Sequence, residues 1–139
     1  MRLHAAAIFR PRSDIGRFIE ARANPAVRAA VLASCKLIEG AAKAMCPKDT
    51  GALSESISTA INDSGKTIVG RVGPHMPYAA YVEFGTGIAG AASPGAGEGP
   101  YNTSWPGMPA QPYMRPALDE NKGTIYDVFR KEIGVGFSK

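Results

Sequence analysis

Asn24-Pro25-Ala26-Val27-Arg28-Ala29-Ala30-Val31-Leu32-Ala33-Ser34-Cys35-Lys36-Leu37-Ile38-Glu39-Gly40-Ala41-Ala42-Lys43-Ala44-Met45-Cys46-Pro47 is the stretch on which the fold class turns. Asn24 offers an N-cap acceptor, and Pro25 stands at the first helical position, where a missing N–H costs nothing. Val27, Val31, Ser34, Ile38, Ala41 and Met45 then recur at spacings of four and three, which aligns them on one helix face. Arg28, Lys36, Glu39 and Lys43 fall mostly elsewhere. Alanine fills much of the rest, raising helix propensity and permitting close packing. Gly40 is the weak point, and Pro47 stops the helix.

Downstream the periodicity changes. After a Lys48-Asp49-Thr50-Gly51 turn, Leu53 to Ile61 is rich in Ser, Thr and Ile, and Asn62-Asp63-Ser64-Gly65-Lys66 makes a second turn. Thr67 to Gly73 follows, with Ile68 and Val72 on one face and Val69 and Arg71 on the other, so 53–73 reads as a β-hairpin. Tyr78 to Phe84 is aromatic-rich and fits a short helix or a strand equally. Gly85 to Gln111 is so rich in Gly and Pro that no regular element is expected, and loops this long in small domains are commonly functional. Trp105, the only tryptophan, lies in it. With Tyr101 and Met108 it is a candidate subunit contact, since aromatic residues and Met are enriched at interfaces; Trp105 tucked onto its own domain is the even alternative. Met114 to Ile133 predicts a final helix, begun near Pro116, with Leu118, Ile125, Val128, Phe129 and Ile133 on its apolar side.

Upstream, residues 1–23 read as an N-terminal arm. Residues 1–12 are an added strand or a segment that orders on a partner. Ser13-Asp14 caps a short helix over Ile15 to Ala23. Residues 24–139 then form one α+β domain carrying the loop at 87–110, a size suited to a single core. Hydrophobic residues at 45% and charged residues at 20% fit a globular chain and argue against disorder over the whole length. No run approaches the ~18 apolar residues of a membrane span, and the N-terminus shows no export signal, so synthesis and use in a cytoplasm are expected. Residues 1–48 carry nine Lys/Arg against three acids, a net +6, whereas the remainder carries seven against nine, a net −2. Such asymmetry steers subunits onto one another or onto nucleic acid, or simply marks a solvated helix face.

Little points to chemistry. Cys35 and Cys46 make no disulfide framework and no C-x-x-C pair, so small buried thiols are expected. His4 and His75 lack metal-site spacing, and there is no phosphate loop or G-x-S-x-G elbow. No catalytic, cofactor or metal residues are therefore assigned. Glu83 is the carboxylate of most interest. A general base needs a second group and a pocket, and a carboxylate capping a turn or pairing with Arg115 is the favoured reading.

Three segments together resemble a known family. Cys46-Pro47-Lys48-Asp49-Thr50-Gly51-Ala52-Leu53-Ser54-Glu55-Ser56-Ile57 is similar to its P-x-D-T-G-x-L-x-x-S-I turn after the long helix. Tyr78-Ala79-Ala80-Tyr81-Val82-Glu83-Phe84-Gly85-Thr86 is similar to its Y-A-x-Y-V-E-F-G-T signature, and Gln111-Pro112-Tyr113-Met114-Arg115-Pro116-Ala117-Leu118 to its x-P-F-L-R-P-A helix entry. The family is the tail or neck component of long-tailed bacteriophages, of the HK-type siphophage gene-ten-product kind. The resemblance spans about 25–133, and the loop at 87–110 is longer than is usual there.

The resemblance implies an α+β subunit with a long N-terminal helix and a C-terminal helix packed on a small antiparallel sheet. It implies a structural virion protein, not an enzyme, that forms a ring at the head–tail junction as a neck collar, or at the tail end as a terminator. Its partners would be itself, as a hexamer or alternatively a dodecamer, the neighbouring neck and tail proteins, and DNA passing through the ring; no membrane is implied. The reading from another class is a nucleic-acid-binding module using the basic N-terminal part. The motif residues suit shape-holding: Asp49 and Thr50 bond in the turn and Gly51 relaxes it. Tyr78, Tyr81 and Phe84 supply packing area, Gly85 and Thr86 turn the chain, and Pro112, Arg115 and Pro116 lead into the last helix.

Overall fold

In a computed structural model the described residues are 3–4 and 17–22, as backbone, together with 25–97 and 100–133. The elements in order are β1 (Leu3–His4), β2 (Arg17–Arg22), α1 (Pro25–Met45), α2 (Ala52–Ser56), β3 (Ser58–Asp63), β4 (Thr67–Gly73), α3 (Ala79–Phe84), α4 (Gly87–Ala92) and α5 (Met114–Ile133). The architecture is α+β. Four antiparallel strands lie in the order β1-β2-β4-β3, and α1 packs on β2, β3 and β4. The principal neighbour of α5 is α1. The long helix thus contacts both the sheet and the last helix.

That double contact explains which α1 residues are buried. Val27, Ala30, Val31, Ser34, Cys35, Ile38 and Ala42 are closed off, a wider stripe than the sequence pattern marks. Ala41 and Met45, expected on the core face, sit at its margin. Ile68, Gly70 and Val72 are the buried face of β4, and Arg71 is exposed. Gly70 is what lets the sheet approach α1: a Cβ there would collide with Cys35 Sγ and lie 2.7 Å from Val31 Cγ1. From α5, Met114, Ala117, Leu118, Ile125 and Phe129 complete the core, while Val128 and Ile133 are half-buried. Each fully buried large aliphatic side chain contributes about 1.5–3 kcal/mol.

Glu39 ties the helix to the sheet. Its Oε2 accepts from the Thr59 hydroxyl at 2.6 Å, and its two oxygens also receive Lys36 at 3.1 Å and Lys43 at 3.0 Å. With the Glu39 side chain 12% exposed, burial works against the charge. Those three hydrogen bonds outweigh it and hold the carboxyl down at about 2.

Three local expectations are corrected. Residues 17–22 form a strand, not part of a short helix over 15–23. Six successive backbone pairs with β4 supply partners that an isolated two-turn helix, with its costly nucleus, does not. The hairpin begins at Ser58 rather than Leu53, because Ala52–Ser56 wind into a helical turn after Gly51. The Gly/Pro-rich segment does hold a regular element, α4, whose open N–H groups find acceptors elsewhere in that segment. Residues 78–84, undecided by periodicity, enter helix α3. The apolar run at 5–12 and the cap at Ser13-Asp14 lie outside the described residues.

Candidate functional site

The 78–116 region is built around Glu83. It projects from α3, is fully buried, and spends both oxygens on backbone donors at the entry to α5. Oε2 accepts from the N–H of Tyr113 at 2.8 Å and of Met114 at 3.0 Å, and Oε1 from that of Arg115 at 3.1 Å. The first N–H groups of a helix have no partner within it and carry partial positive charge, so a carboxylate here satisfies donors and complements the dipole at once. Tyr113, also fully buried, donates from its hydroxyl to Ala79 O at 3.3 Å, closing α3 against the α5 entry a second time. Burial, and then the nearby Glu83 charge, push its phenol well above the usual range. Glu83 is therefore a capping carboxylate that bonds to the backbone of Arg115.

The Gly/Pro-rich segment folds back on α3 and α4. Thr86 and Met108 form an isolated bridge, N–H to carbonyl in both directions at 2.8 and 3.0 Å. The α4 N–H groups of Ile88 and Ala89 reach Trp105 O at 3.1 Å and Pro106 O at 2.9 Å. Gly107, at φ 69°, makes this crossing possible, since a Cβ there would run into the Thr86 carbonyl. Tyr101 is half-buried, and its hydroxyl donates to Phe84 O at 2.9 Å while receiving Gly97 N–H at 2.6 Å. Ser93 Oγ accepts from Ala110 N–H at 2.9 Å. The segment is a pinned platform.

What that platform presents is apolar. Tyr81 is 55% exposed, Ile88 53%, Met108 48%, Trp105 47% and Tyr78 42%. All five sit on the α3 entry, α3, α4 or the 105–108 segment bonded to it. Beside them opens a groove of about 440 Å³, walled by Pro47, Asp49, Thr50 and Gly51 of the first motif, Tyr78 and Val82 of the second and Gln111 of the third. Leu53 and Met108 complete it. In the turn, Thr50 Oγ1 accepts from Ala52 N–H at 3.3 Å and Gly51 sits at φ 84°. The three motifs, distant in sequence, thus meet at one end of the molecule. Phe84 and Gly85 are buried beneath this end, and Pro112, Arg115 and Pro116 are half-buried at the α5 entry.

Sequence reasoning singled out Trp105 and Met108 but missed Ile88, Gly107 and Tyr113. A Tyr inside the third motif was the available signal for the last. Ile88 was hidden because its setting, Gly87-Ile88-Ala89-Gly90, reads as loop.

Elsewhere, the cations of α1 face acids: Arg28 lies 3.6 Å from Asp63, and Lys36 and Lys43 share Glu39. Burial pushes the Cys35 thiol up to about 12 and raises that of Cys46, so both stay protonated. Among the described residues, no group of three or more His, Cys, Asp or Glu is placed to hold a metal ion, and no helix is long and apolar enough to cross a membrane.

The fold and this end of it define a small α+β domain whose three motifs meet beside an exposed apolar surface. The profile of the family described as "Bacteriophage HK97-gp10, putative tail-component" matches residues 13–85, just over half of the chain. The chain belongs to this family. Membership assigns it to the tail components of a phage virion, among other phage structural proteins. The match takes in the first motif and the second as far as Gly85; the third lies beyond it, tied to the second through Glu83. No curated protein and no solved structure matches the chain.

Proposed function

We propose that this chain is a non-enzymatic, ring-forming subunit at the head–tail junction of a tailed phage, in the neck or at the tail end. The observation that carries this reading is the pinned platform with five exposed apolar side chains, Tyr78, Tyr81, Ile88, Trp105 and Met108. Large apolar surface on a backbone already fixed by hydrogen bonds binds partners with little ordering cost. Exposed large apolar surface is a mark of interaction sites. A heterologous contact repeated with a closing rotation gives a ring, which at this position surrounds the path of the DNA. A sixfold ring, matching tail symmetry, is expected, and twelvefold is the alternative beside a portal.

The non-enzymatic part of the reading rests on Glu83. It is sealed from solvent and both oxygens already hold backbone donors, leaving it no face to offer a substrate. Immunogold labelling of purified particles with antibody to this chain tests the location. Label at a single point on the head–tail boundary or tail end supports it; label along the whole tail, or none, contradicts it.

A further inference from the structure

Strand β3 lies at the edge of the sheet: the order β1-β2-β4-β3 leaves one of its sides without a partner strand among the described residues. The turn bond from Ser64 N–H to Thr67 O, 3.0 Å, fixes which backbone groups face outward. Along an antiparallel pair, hydrogen-bonded and non-bonded residues alternate. From Ser64 the register therefore gives Asn62, Ala60 and Ser58 to β4, and turns the N–H and C=O of Thr59, Ile61 and Asp63 away from it. Sheet edges are commonly blunted by Lys, Pro or a bulge. Ser58–Asp63 has neither Lys nor Pro, and its register with β4 is unbroken.

The same three residues turn their side chains toward α1. Asp63 lies 3.6 Å from Arg28, Thr59 donates to Glu39 at 2.6 Å, and Ile61 is half-buried against the core. Arg28, Leu32 and Glu39 follow at spacings of four and seven, which puts them on one side of the helix. Arg28 and Glu39 both reach β3, so Leu32 between them flanks this edge, and it is 39% exposed. The flank has an apolar centre, Leu32 and Ile61, between two charged ends. One end is Arg28 with Asp63. The other is Glu39 with Lys36, which binds the same carboxylate oxygen as Thr59.

We propose that β3 pairs antiparallel with β3 of a second copy of this chain, about a two-fold axis at Ile61, joining the two sheets into one. Thr59 then stands opposite the partner's Asp63 and Ile61 opposite the partner's Ile61, so that each outward N–H meets an outward C=O. The flank favours a second copy over a foreign strand, because it matches its own two-fold image. The axis sets the apolar centre against its copy and brings Asp63 toward the partner's Lys36, base to acid at both ends. The contact is isologous and closes at two copies. It involves none of the five platform side chains and does not rest on the ring-forming reading.

Amide hydrogen exchange resolved by residue, with light scattering after gel filtration over a concentration series, tests this on the full chain. The N–H groups of Thr59, Ile61 and Asp63 are expected to exchange quickly when dilute and at least ~10-fold more slowly once copies pair. Ile61→Pro removes an N–H that β4 does not use and sets a ring against the incoming strand. Leu32→Lys keeps the backbone edge but places like charges at the axis. With folding checked by circular dichroism, each is expected to weaken pairing at least ~10-fold; if Ile61→Pro does not fold, Leu32→Lys decides. Three amides that exchange quickly at every concentration, or are already slow in the monomer, overturn the pairing. Amides that slow only when purified phage tails are added would give the edge to a foreign strand and overturn it too. Assembly unchanged in the folded variants belongs to another surface: the pairing then falls and the ring-forming reading stands.

Discussion

At the residue scale, Glu83 holds two distant motifs together. Its carboxylate satisfies three N–H groups that would otherwise be buried and unpaired, each costing about 1–3 kcal/mol. Glu83→Gln keeps the volume but turns an amide NH2 toward donors, so a loss of about 2–4 kcal/mol in urea unfolding is expected; a change under ~0.5 kcal/mol would deny the capping role. Ser34 is the reverse case. Its hydroxyl is fully buried on α1 without a hydrogen-bond partner, so Ser34→Ala should raise stability by about 1 kcal/mol. A loss on calorimetry would mean that the hydroxyl is satisfied.

At the element scale, α1 is held by a tight apposition and by a charge cluster. Gly70→Ala forces a Cβ onto Cys35 and Val31, at a cost of about 1–3 kcal/mol. Adding Cys35→Ala should recover part of that loss, a coupling that a double-mutant cycle measures directly. The Glu39 carboxyl sits at about 2 in the fold against an ordinary 4.5. Its stabilising contribution is thus complete above that ordinary value and drains away as pH falls toward about 2. Glu39→Gln should flatten the fall in urea midpoint between pH 6 and pH 3; an unchanged slope would place the acid sensitivity elsewhere. The helices were legible because capping and 3.6-residue spacing act within one element: Pro25–Met45 and Met114–Ile133 fall where the pattern puts them. Strand β2 was not, because its pairing partner lies about fifty residues away in sequence. Helix α4 was not, because the carbonyls that cap it come from Trp105 and Pro106.

At the scale of the whole molecule, a stable body and a working end are distinguishable. The sheet, α1 and the length of α5 supply the core, while α3, α4 and the 100–112 segment present apolar side chains outward. That Trp105 and Met108 would be presented could be suspected from an aromatic in a Gly/Pro-rich run. That Tyr78 and Tyr81 stand exposed while Phe84 and Glu83 turn inward needed the α3 helix to be seen. The measurement bearing most directly on a ring-forming role is cryo-electron microscopy of purified virions, focused on the head–tail junction and the tail end. A closed ring of this chain, with Trp105 facing a neighbouring copy, is the expected result. Its axial position would separate a neck collar from a tail terminator. Particles complete in head and tail that contain no density for this chain would contradict the assignment.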